Sequence, residues 1–376
     1  MRKVYNWQIG RNASYIYPEN RPKKQWAIIF DLNKCISCQT CSLACKTTWT
    51  SGKGQEYMFW NNVESKPYGG YPIGWDLGIL SKLGPQEWKG NKYTGKTLFE
   101  AADKDEKILY HLPEDADWAH PNLGEDEASG MINQGDWIAT YPHRIWMFYL
   151  PRTCAHCTYP ACLSACPRKA IYKREEDGIV LIDQSRCRGY RECVRACPYK
   201  KSMFNVETRV SEKCIGCYPK IEKGEMTQCV TNCIGKIRIN GFVSTPDNAR
   251  KDNPMDYLIH YKKIALPYYP QFGLEPNLYY IPPIHVAPSF LEQMFGPKVE
   301  KAMGTYINAR NDHELQALLV LIGSTEKILH TFKVDEEYAY GYDEQGKEVV
   351  KVPITEPKII RDYHDAKLNA YRQNTP

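Results

Sequence analysis

The sequence predicts an α+β chain of two small modules, one nested inside the other, and three observations predict it. All 15 cysteines fall in four tight blocks. Short strand-like runs stand before, between and after those blocks. Long stretches without a repeat period interrupt and follow them. The blocks are Cys35, Cys38, Cys41 and Cys45; Cys154, Cys157, Cys162 and Cys166; Cys187, Cys193 and Cys197; and Cys214, Cys217, Cys229 and Cys233. No cysteine lies elsewhere, and Tyr190 stands where a sixteenth would fall.

Trp26 to Phe30 reads as a strand entering block one. Block one has the C-x2-C-x2-C-x3-C spacing of two-cluster bacterial ferredoxins, in which three thiolates hold one iron–sulfur cube and the fourth reaches to another. The fourth cysteine is expected to begin a helix pointing away from the loop. Block two widens its middle gap to four residues and contains Pro160, and block four widens its own to eleven. Blocks two and three close in Cys166-Pro167 and Cys197-Pro198. Between them, Ala170-Ile171-Tyr172, a turn at Asp177-Gly178 and Ile179 to Ile182 read as a hairpin. Met203 to Val206 reads as a strand returning toward Cys214, and Ile237 to Ile239 as one leaving block four.

The fold class is thus α+β: two nested ferredoxin-like bicluster modules with a long irregular insert and a C-terminal wrapping extension. The divisions are an arm at 1–25, module A at 26–50 plus 205–245, the insert at 51–150, module B at 151–204 and the extension at 246–376. Blocks two and three lie close in sequence and pair, which leaves blocks one and four to pair with each other.

Soft, deprotonated thiolates arriving several to a loop suit iron–sulfur clusters. A disulfide scaffold is usually short with an even cysteine count, and this chain is long with an odd one. Structural zinc takes two C-x2-C pairs, which only block four approaches. With the fourth-cysteine rule, cluster one takes Cys35, Cys38, Cys41 and Cys233. Cluster two takes Cys214, Cys217, Cys229 and Cys45, and cluster three takes Cys154, Cys157, Cys162 and Cys197. Cluster four keeps Cys166, Cys187 and Cys193, because a phenol of pKa about 10 is a poor substitute for a thiolate. Tyr190 is therefore the determinant of cluster type, and the set is three [4Fe-4S] clusters and one [3Fe-4S] cluster. A structural metal-binding interaction protein is the competing class, and zinc in place of iron would reveal it.

Composition excludes other classes. With 43% hydrophobic and 25% charged residues the chain reads as an ordinary globular protein. Its longest apolar stretch, Ala317 to Ile322, is too short to span a bilayer. That stretch lies in Asp312 to Ile322, which looks like an amphipathic helix. The N-terminus lacks an apolar h-region, so no signal peptide is visible. A formal charge of +5 invites a nucleic-acid reading. Four clusters carrying roughly −8 with their thiolates reverse it, and Lys34, Arg168, Lys169, Arg186, Arg188, Lys200, Lys201 and Lys213 are expected to balance those anions. No nucleic-acid partner is expected.

The insert begins rich in aromatics (Trp49, Trp60, Tyr68, Tyr71, Trp75) and turns acidic from Glu100 to Glu127. The plain reading of the acidic run is a solvated excursion, and the sharper one a docking face for a basic acceptor. Pro282-Pro283 marks an irregular wrapping segment. His156, between Cys154 and Cys157, is expected to face solvent or to support a cluster without ligating it. No catalytic constellation stands out, so no independent substrate chemistry is expected.

With Cys187-Arg188-Gly189-Tyr190-Arg191-Glu192-Cys193, the four blocks resemble the electron-transfer beta subunits of dimethyl sulfoxide reductase superfamily molybdenum enzymes. In nitrate reductase beta subunits a Trp holds the place of Tyr190 beside a three-iron cluster. Trp49-Thr50-Ser51, Asn61 to Pro67 and Glu275 to Pro283 also resemble that family. Val4 to Arg11 and Gly54 to Met58 are similar to nitrite oxidoreductase beta subunits. Relatives acting on chlorate, perchlorate, selenate, dimethyl sulfide or ethylbenzene share the frame.

The resemblance implies a hetero-oligomer in which a large molybdopterin subunit interconverts nitrite and nitrate. Electrons would pass through clusters one to four to a haem-containing gamma subunit or cytochrome. It further implies a periplasmic or equivalent lumenal location reached by co-export with a partner, membrane-associated through that partner, with the cytoplasmic face as the alternative.

Overall fold

The computed structural model describes residues 2–17, 21–67, 69–118, 146–355, 363–367 and 369–372. An N-terminal hairpin, β1 (Arg2–Asn6) and β2 (Arg11–Tyr15), precedes β3 (Gln25–Asp31) and α1 (Thr40–Trp49). The insert supplies β4 (Asn62–Lys66) and α2 (Trp75–Leu83), and the chain returns on β5 (Phe148–Arg152). Blocks two and three add α3 (Ala161–Ala165) and α4 (Glu192–Ala196), separated by the hairpin β6 (Ile171–Lys173) and β7 (Val180–Ile182). A second hairpin, β8 (Ser202–Asn205) and β9 (Val210–Lys213), leads to α5 (Tyr218–Ile221), α6 (Gln228–Thr231) and β10 (Arg238–Val243). The remainder holds β11 (Leu266–Pro267), β12 (Leu278–Ile281), α7 (Pro288–Phe295), α8 (Val299–Ile307) and α9 (His313–Leu321). It then forms a sheet of β13 (Thr331–Val334), β14 (Tyr338–Tyr342) and β15 (Glu348–Pro353), followed by a short hairpin of β16 (Tyr363–Asp365) and β17 (Ala370–Arg372).

The central sheet runs β10–β3–β12–β11. Every residue from Trp26 to Phe30 is buried. A strand with partners at both edges and side chains packed on both faces needs a continuous apolar run rather than alternation. Along one edge β10 pairs antiparallel, Arg238 opposite Phe30 and Val243 opposite Gln25. Along the other, β12 pairs in parallel, Leu278 opposite Ile28. Pairing β3 with β10 carries block one, which follows β3, against block four, which precedes β10. Consistent with this, α1 packs on α6, and α3 packs on α4.

Several elements depart from the sequence expectation. The fourth cysteine does not begin a helix. The third one sits in its first turns, as Cys162 in α3 and Cys193 in α4, while Cys166 and Cys197 cap the C-termini. The following prolines, which lack an N–H, end those helices. In block one, α1 runs on through both Cys41 and Cys45. Val206 falls outside β8 and is exposed, because the hairpin turns one residue earlier. The C-terminal region is irregular at Pro282-Pro283, yet it donates β12 to the central sheet and builds helices of its own. Its amphipathic helix starts at an N-cap, Asp312, whose carboxylate accepts from Leu315 N at 3.1 Å.

The N-terminal arm docks onto the same region. Asn6 Nδ2 donates to Gly273 O at 3.2 Å, and Gln8 Nε2 donates to Pro276 O at 2.9 Å and to Tyr279 Oη at 3.2 Å. The two segments that carry much of the family resemblance therefore touch. Of the acidic run, Glu100 is spent on Arg11 at 2.7 Å, Glu114 and Asp115 are exposed, and residues 119–127 lie outside the described residues.

A fully buried ionic group ties the insert to block three. Glu64 on β4 accepts from Arg152 Nε at 2.7 Å, Trp75 Nε1 at 3.1 Å and Tyr71 N at 3.0 Å. Arg152 lies over the Trp75 ring at 4.0 Å and donates to Tyr199 O at 2.6 Å, just beyond Cys197-Pro198. Beside it Lys66 pairs with Asp76 at 2.8 Å, and Tyr269 Oη donates to the same carboxylate at 2.6 Å. Burial alone would raise the Glu64 pKa, but Arg152 and Lys66 hold it below the ordinary carboxylate range. Removing one partner of such a pair strands the other charge, at a cost of about 3–5 kcal/mol. Glu64→Gln should therefore lower the unfolding free energy by about 3–5 kcal/mol, read as a lower urea midpoint in circular dichroism at unchanged m. A joint Glu64→Gln, Arg152→Met change should recover part of the loss, and an unchanged midpoint in the single variant would contradict the account.

Candidate iron–sulfur centres

All 15 cysteines are free thiols, and their loops share a backbone device. The second residue after the first cysteine of each block takes positive φ: Ser37 at 53°, His156 at 40°, Gly189 at 66° and Gly216 at 63°. The third residue after the last cysteine does so in three blocks, at Lys169, Lys200 and Lys236. Left-handed residues at these points curl the chain so that successive N–H groups and thiols face one concavity, the arrangement that favours anions. At Gly189 the need is also steric, since an added Cβ would lie 2.5 Å from Arg209 O.

The fold gathers thiols from distant blocks. Cys45 on α1 lies in the field of Cys214, Cys229 and Cys217. Cys157 lies in that of Cys154, Cys197 and Cys162, and Cys193 in that of Cys166 and Cys187. Cys35 lies in the field of Cys41 and Cys233, with Cys38 exposed on the loop between. Between these groups Cys229 is felt by Cys41, Cys214 by Cys154, and Cys162 by Cys193. Among the described residues no three His, Cys, Asp or Glu converge closely enough for a single metal ion.

The protonation of these thiols points to metal. Burial first, then neighbouring thiols, pushes Cys45, Cys157 and Cys162 well above the ordinary thiol range, and Cys35 and Cys214 up to about 11. Left to themselves these groups stay neutral, and a thiolate at such a place needs bound metal.

Donors surround the thiols. Backbone N–H groups of Ala170, Ser211 and Gly216 reach Cys166, Cys187 and Cys214 Sγ at 3.3 Å, and Lys201 N reaches Cys197 Sγ at 3.5 Å. One cavity is lined by Cys45, Cys214, Cys217 and Cys229 together with Trp26, Trp49 and Trp60. Trp49 Nε1 donates to Cys217 Sγ at 3.2 Å, whereas the buried Trp26 and Trp60 Nε1 groups have no protein acceptor. An indole nitrogen only donates, and leaving it unpaired in the interior costs about 1–3 kcal/mol. A sulfide-bearing, anionic cluster held by these cysteines would supply such an acceptor.

The expected cations divide in two. Lys34, Arg168, Lys169, Arg186 and Arg188 are exposed, while Lys200, Lys201 and Lys213 are buried. The buried ammonium groups donate to neutral carbonyls: Lys200 to Arg195 O at 3.0 Å, Lys213 to Cys214 O at 2.8 Å, and Lys201 to Asn62 Oδ1. Burial lowers Lys200 to about 8 and Lys201 to about 7. Anionic clusters beside them supply the counter-charge. The donor set, the orphaned N–H groups and the buried cations all fit iron–sulfur clusters.

His156 is not solvent-facing. It is buried, its Nδ1 accepts from Val180 N at 3.0 Å, and its ring meets Trp26 edge-on at 5.2 Å. Burial, then Lys213 and Lys173, keeps it neutral, and the Val180 bond leaves the proton on Nε2. It braces β7 against block two. Tyr190 stands 62% exposed between Cys187 and Cys193. Sequence reasoning passed over Arg238 and read Trp26 only as a strand residue, whereas Trp60 was already among the aromatics of the insert. For Arg238 the signal was present: a cation in the middle of the apolar strand Ile237-Arg238-Ile239.

A model described as a 4Fe-4S dicluster domain matches residues 145–242, which hold blocks two to four. The selenate reductase beta subunit of Thauera selenatis is 42% identical over 335 residues, covering 81% of this chain and 98% of that one. The chlorate reductase beta subunit of Ideonella dechloratans is 41% identical, with the same coverage. The respiratory nitrate reductase beta subunit of Haloferax mediterranei is 40% identical over 75% of this chain and 84% of its own. The chain belongs to the beta subunits of dimethyl sulfoxide reductase-family molybdoenzymes. A beta subunit of this family is an iron–sulfur electron-transfer subunit of an oxidoreductase complex, and it implies a large catalytic partner. Among the described residues no helix is long and apolar enough to cross a membrane.

The beta subunit's thiol groupings are directly testable. Cys45→Ala and Cys214→Ala, far apart in sequence, should each abolish the same component of the reduced protein's paramagnetic resonance spectrum. Loss of different components would show that the two thiols serve different centres.

Proposed function

We propose that the beta subunit is a four-cluster wire of three [4Fe-4S] centres and one [3Fe-4S] centre. In this reading the ligand sets are Cys35, Cys38, Cys41 and Cys233 for cluster one, and Cys45, Cys214, Cys217 and Cys229 for cluster two. Cluster three has Cys154, Cys157, Cys162 and Cys197, and the three-iron cluster four has Cys166, Cys187 and Cys193. Module A at 26–50 plus 205–245 would carry the first two, and module B at 151–204 the others. The observation that supports it most is the electrostatic influence of thiols of one group on those of the next: Cys41 on Cys229, Cys154 on Cys214, and Cys193 on Cys162. These pairs link one to two, two to three and three to four.

Bound clusters supply one-electron carriers. The chain's own residues set the spacing, keep water out and stabilise the negative charge that each reduction adds. Trp26, Trp49 and Trp60 line cluster two's cavity, and Lys200, Lys201 and Lys213 are buried between blocks three and four in the chain. At the far end Tyr190 supplies no thiolate, so cluster four keeps three irons.

For the complex we propose nitrite oxidation to nitrate, or its reverse, at a molybdopterin catalytic subunit, with a haem-containing gamma subunit or cytochrome beyond cluster four. Support for nitrite comes from the likeness of Val4 to Arg11 and Gly54 to Met58 to nitrite oxidoreductase beta subunits. A second reading, reduction of another oxyanion, is favoured by the names of relatives, selenate and chlorate reductase among them. The proposed location is the periplasm or an equivalent lumen by co-export with a partner, membrane-associated through that partner, with the cytoplasmic face as the alternative.

Anaerobically purified complex should hold about 15 irons per beta chain and show the resonance of an oxidised three-iron centre. Tyr190→Cys should convert that centre toward a four-iron form and lower its potential. An unaltered three-iron signal would overturn the assignment of cluster four. Mass identification of the copurifying catalytic chain, with turnover assayed on nitrite, nitrate, chlorate and selenate, decides the substrate.

A further inference from the structure

Arg238 occupies an unusual place. It opens β10 directly after block four, faces Phe30 across the sheet and is buried. Its Nη2 donates to Cys41 Sγ at 2.7 Å and its Nη1 to Asn61 Oδ1 at 3.1 Å. Phe30 lies 4.9 Å from the guanidinium carbon, and Nε has no protein acceptor. The side chains whose ionised forms would act on it most are thiols: Cys41, then Cys229 of the next grouping, then Cys233 and Cys35. A buried Arg normally meets a carboxylate, as Arg152 meets Glu64. Here the fork is turned toward sulfur, in the wall between two thiol groupings.

We propose that Arg238 is a positioning residue of the electron path, a permanent buried cation that raises the reduction potentials of clusters one and two together. The proposal rests on the ligand sets given above. Each reduction adds one negative charge to a cluster, and a nearby cation stabilises the reduced form more than the oxidised one. The effect is large where water is absent to screen it. A guanidinium suits the task because it stays charged in the interior and its planar fork meets Cys41 Sγ and Asn61 Oδ1 at once. Standing between two clusters, one side chain acts on both, so neighbouring steps of the path stay matched when a single residue is held in place.

The test is a potentiometric titration of the intact complex followed by paramagnetic resonance. Cys35→Ala and Cys45→Ala first identify which signals belong to clusters one and two. Arg238→Met removes the charge while keeping bulk, and Arg238→Lys keeps the charge while losing the fork. In Arg238→Met both identified signals should titrate at lower potential by at least a tenfold change in the reduction equilibrium, about 59 mV for a one-electron couple. The signals of clusters three and four should stay in place, and Arg238→Lys should restore most of the shift. Should Arg238→Met fail to retain its iron, Arg238→Gln against Arg238→Lys carries the same comparison. Unmoved potentials in the neutral variant, equal potentials in Lys and Gln, or one common shift of all four signals would each overturn the proposal. Loss of the same signal in Cys35→Ala and Cys45→Ala would instead overturn the ligand sets, a separate failure.

Discussion

The antiparallel pairing of Gln25–Asp31 with Arg238–Val243 is the constraint on which the rest depends. It brings together two cysteine blocks separated by the whole insert and by blocks two and three. With Arg238 opposite Phe30, Cys41 and Cys45 on the helix after one strand come beside Cys229 and Cys233, just before the other. A slip of one residue in this register would exchange the faces of the strand and turn the guanidinium away from sulfur. The apolar Trp26 to Phe30 run does not distinguish its two faces, so the register is held by the polar residues of the partner strand, Arg238 bonded to Cys41 Sγ and Asn240 to Thr227 N.

A second demand follows from charge. Clusters with thiolate ligands are anions, and a protein interior tolerates anions only with donors and cations at hand. The chain meets this demand at three ranges. Backbone N–H groups turned inward by left-handed residues serve the nearest sulfurs, indole N–H groups serve the cavity of block four, and buried Lys and Arg side chains serve the surroundings. The same polar interior explains why the insert carries its own paired charges. Glu64, Arg152, Lys66 and Asp76 neutralise one another and leave the unpaired cations to the cysteine regions.

Family membership and geometry divide the functional question. Relatives named for selenate, chlorate and nitrate share this frame at about two-fifths identity, so the electron path is common while the chemistry differs between complexes. That is physically reasonable for a subunit whose residues act on potential and spacing. The substrate meets another chain.

Metal chemistry was legible in the sequence because ligand spacing is local: a loop of C-x2-C-x2-C shapes itself around a cube wherever it stands. The strands flanking the blocks were legible for a related reason, since buried apolar runs between turn residues announce themselves within a few positions. Helix starts were misjudged in the blocks, where left-handed residues and Cys-Pro closures rather than propensity decide where a turn begins. Tertiary structure alone decided that His156 is buried, that Leu278–Ile281 enters the central sheet, that Arg238 meets Cys41 Sγ, and that Trp26 and Trp60 line one cavity with four cysteines. Each of these depends on contacts between segments hundreds of residues apart or on opposite sides of a sheet, and no local period in a sequence records which surface a side chain will meet.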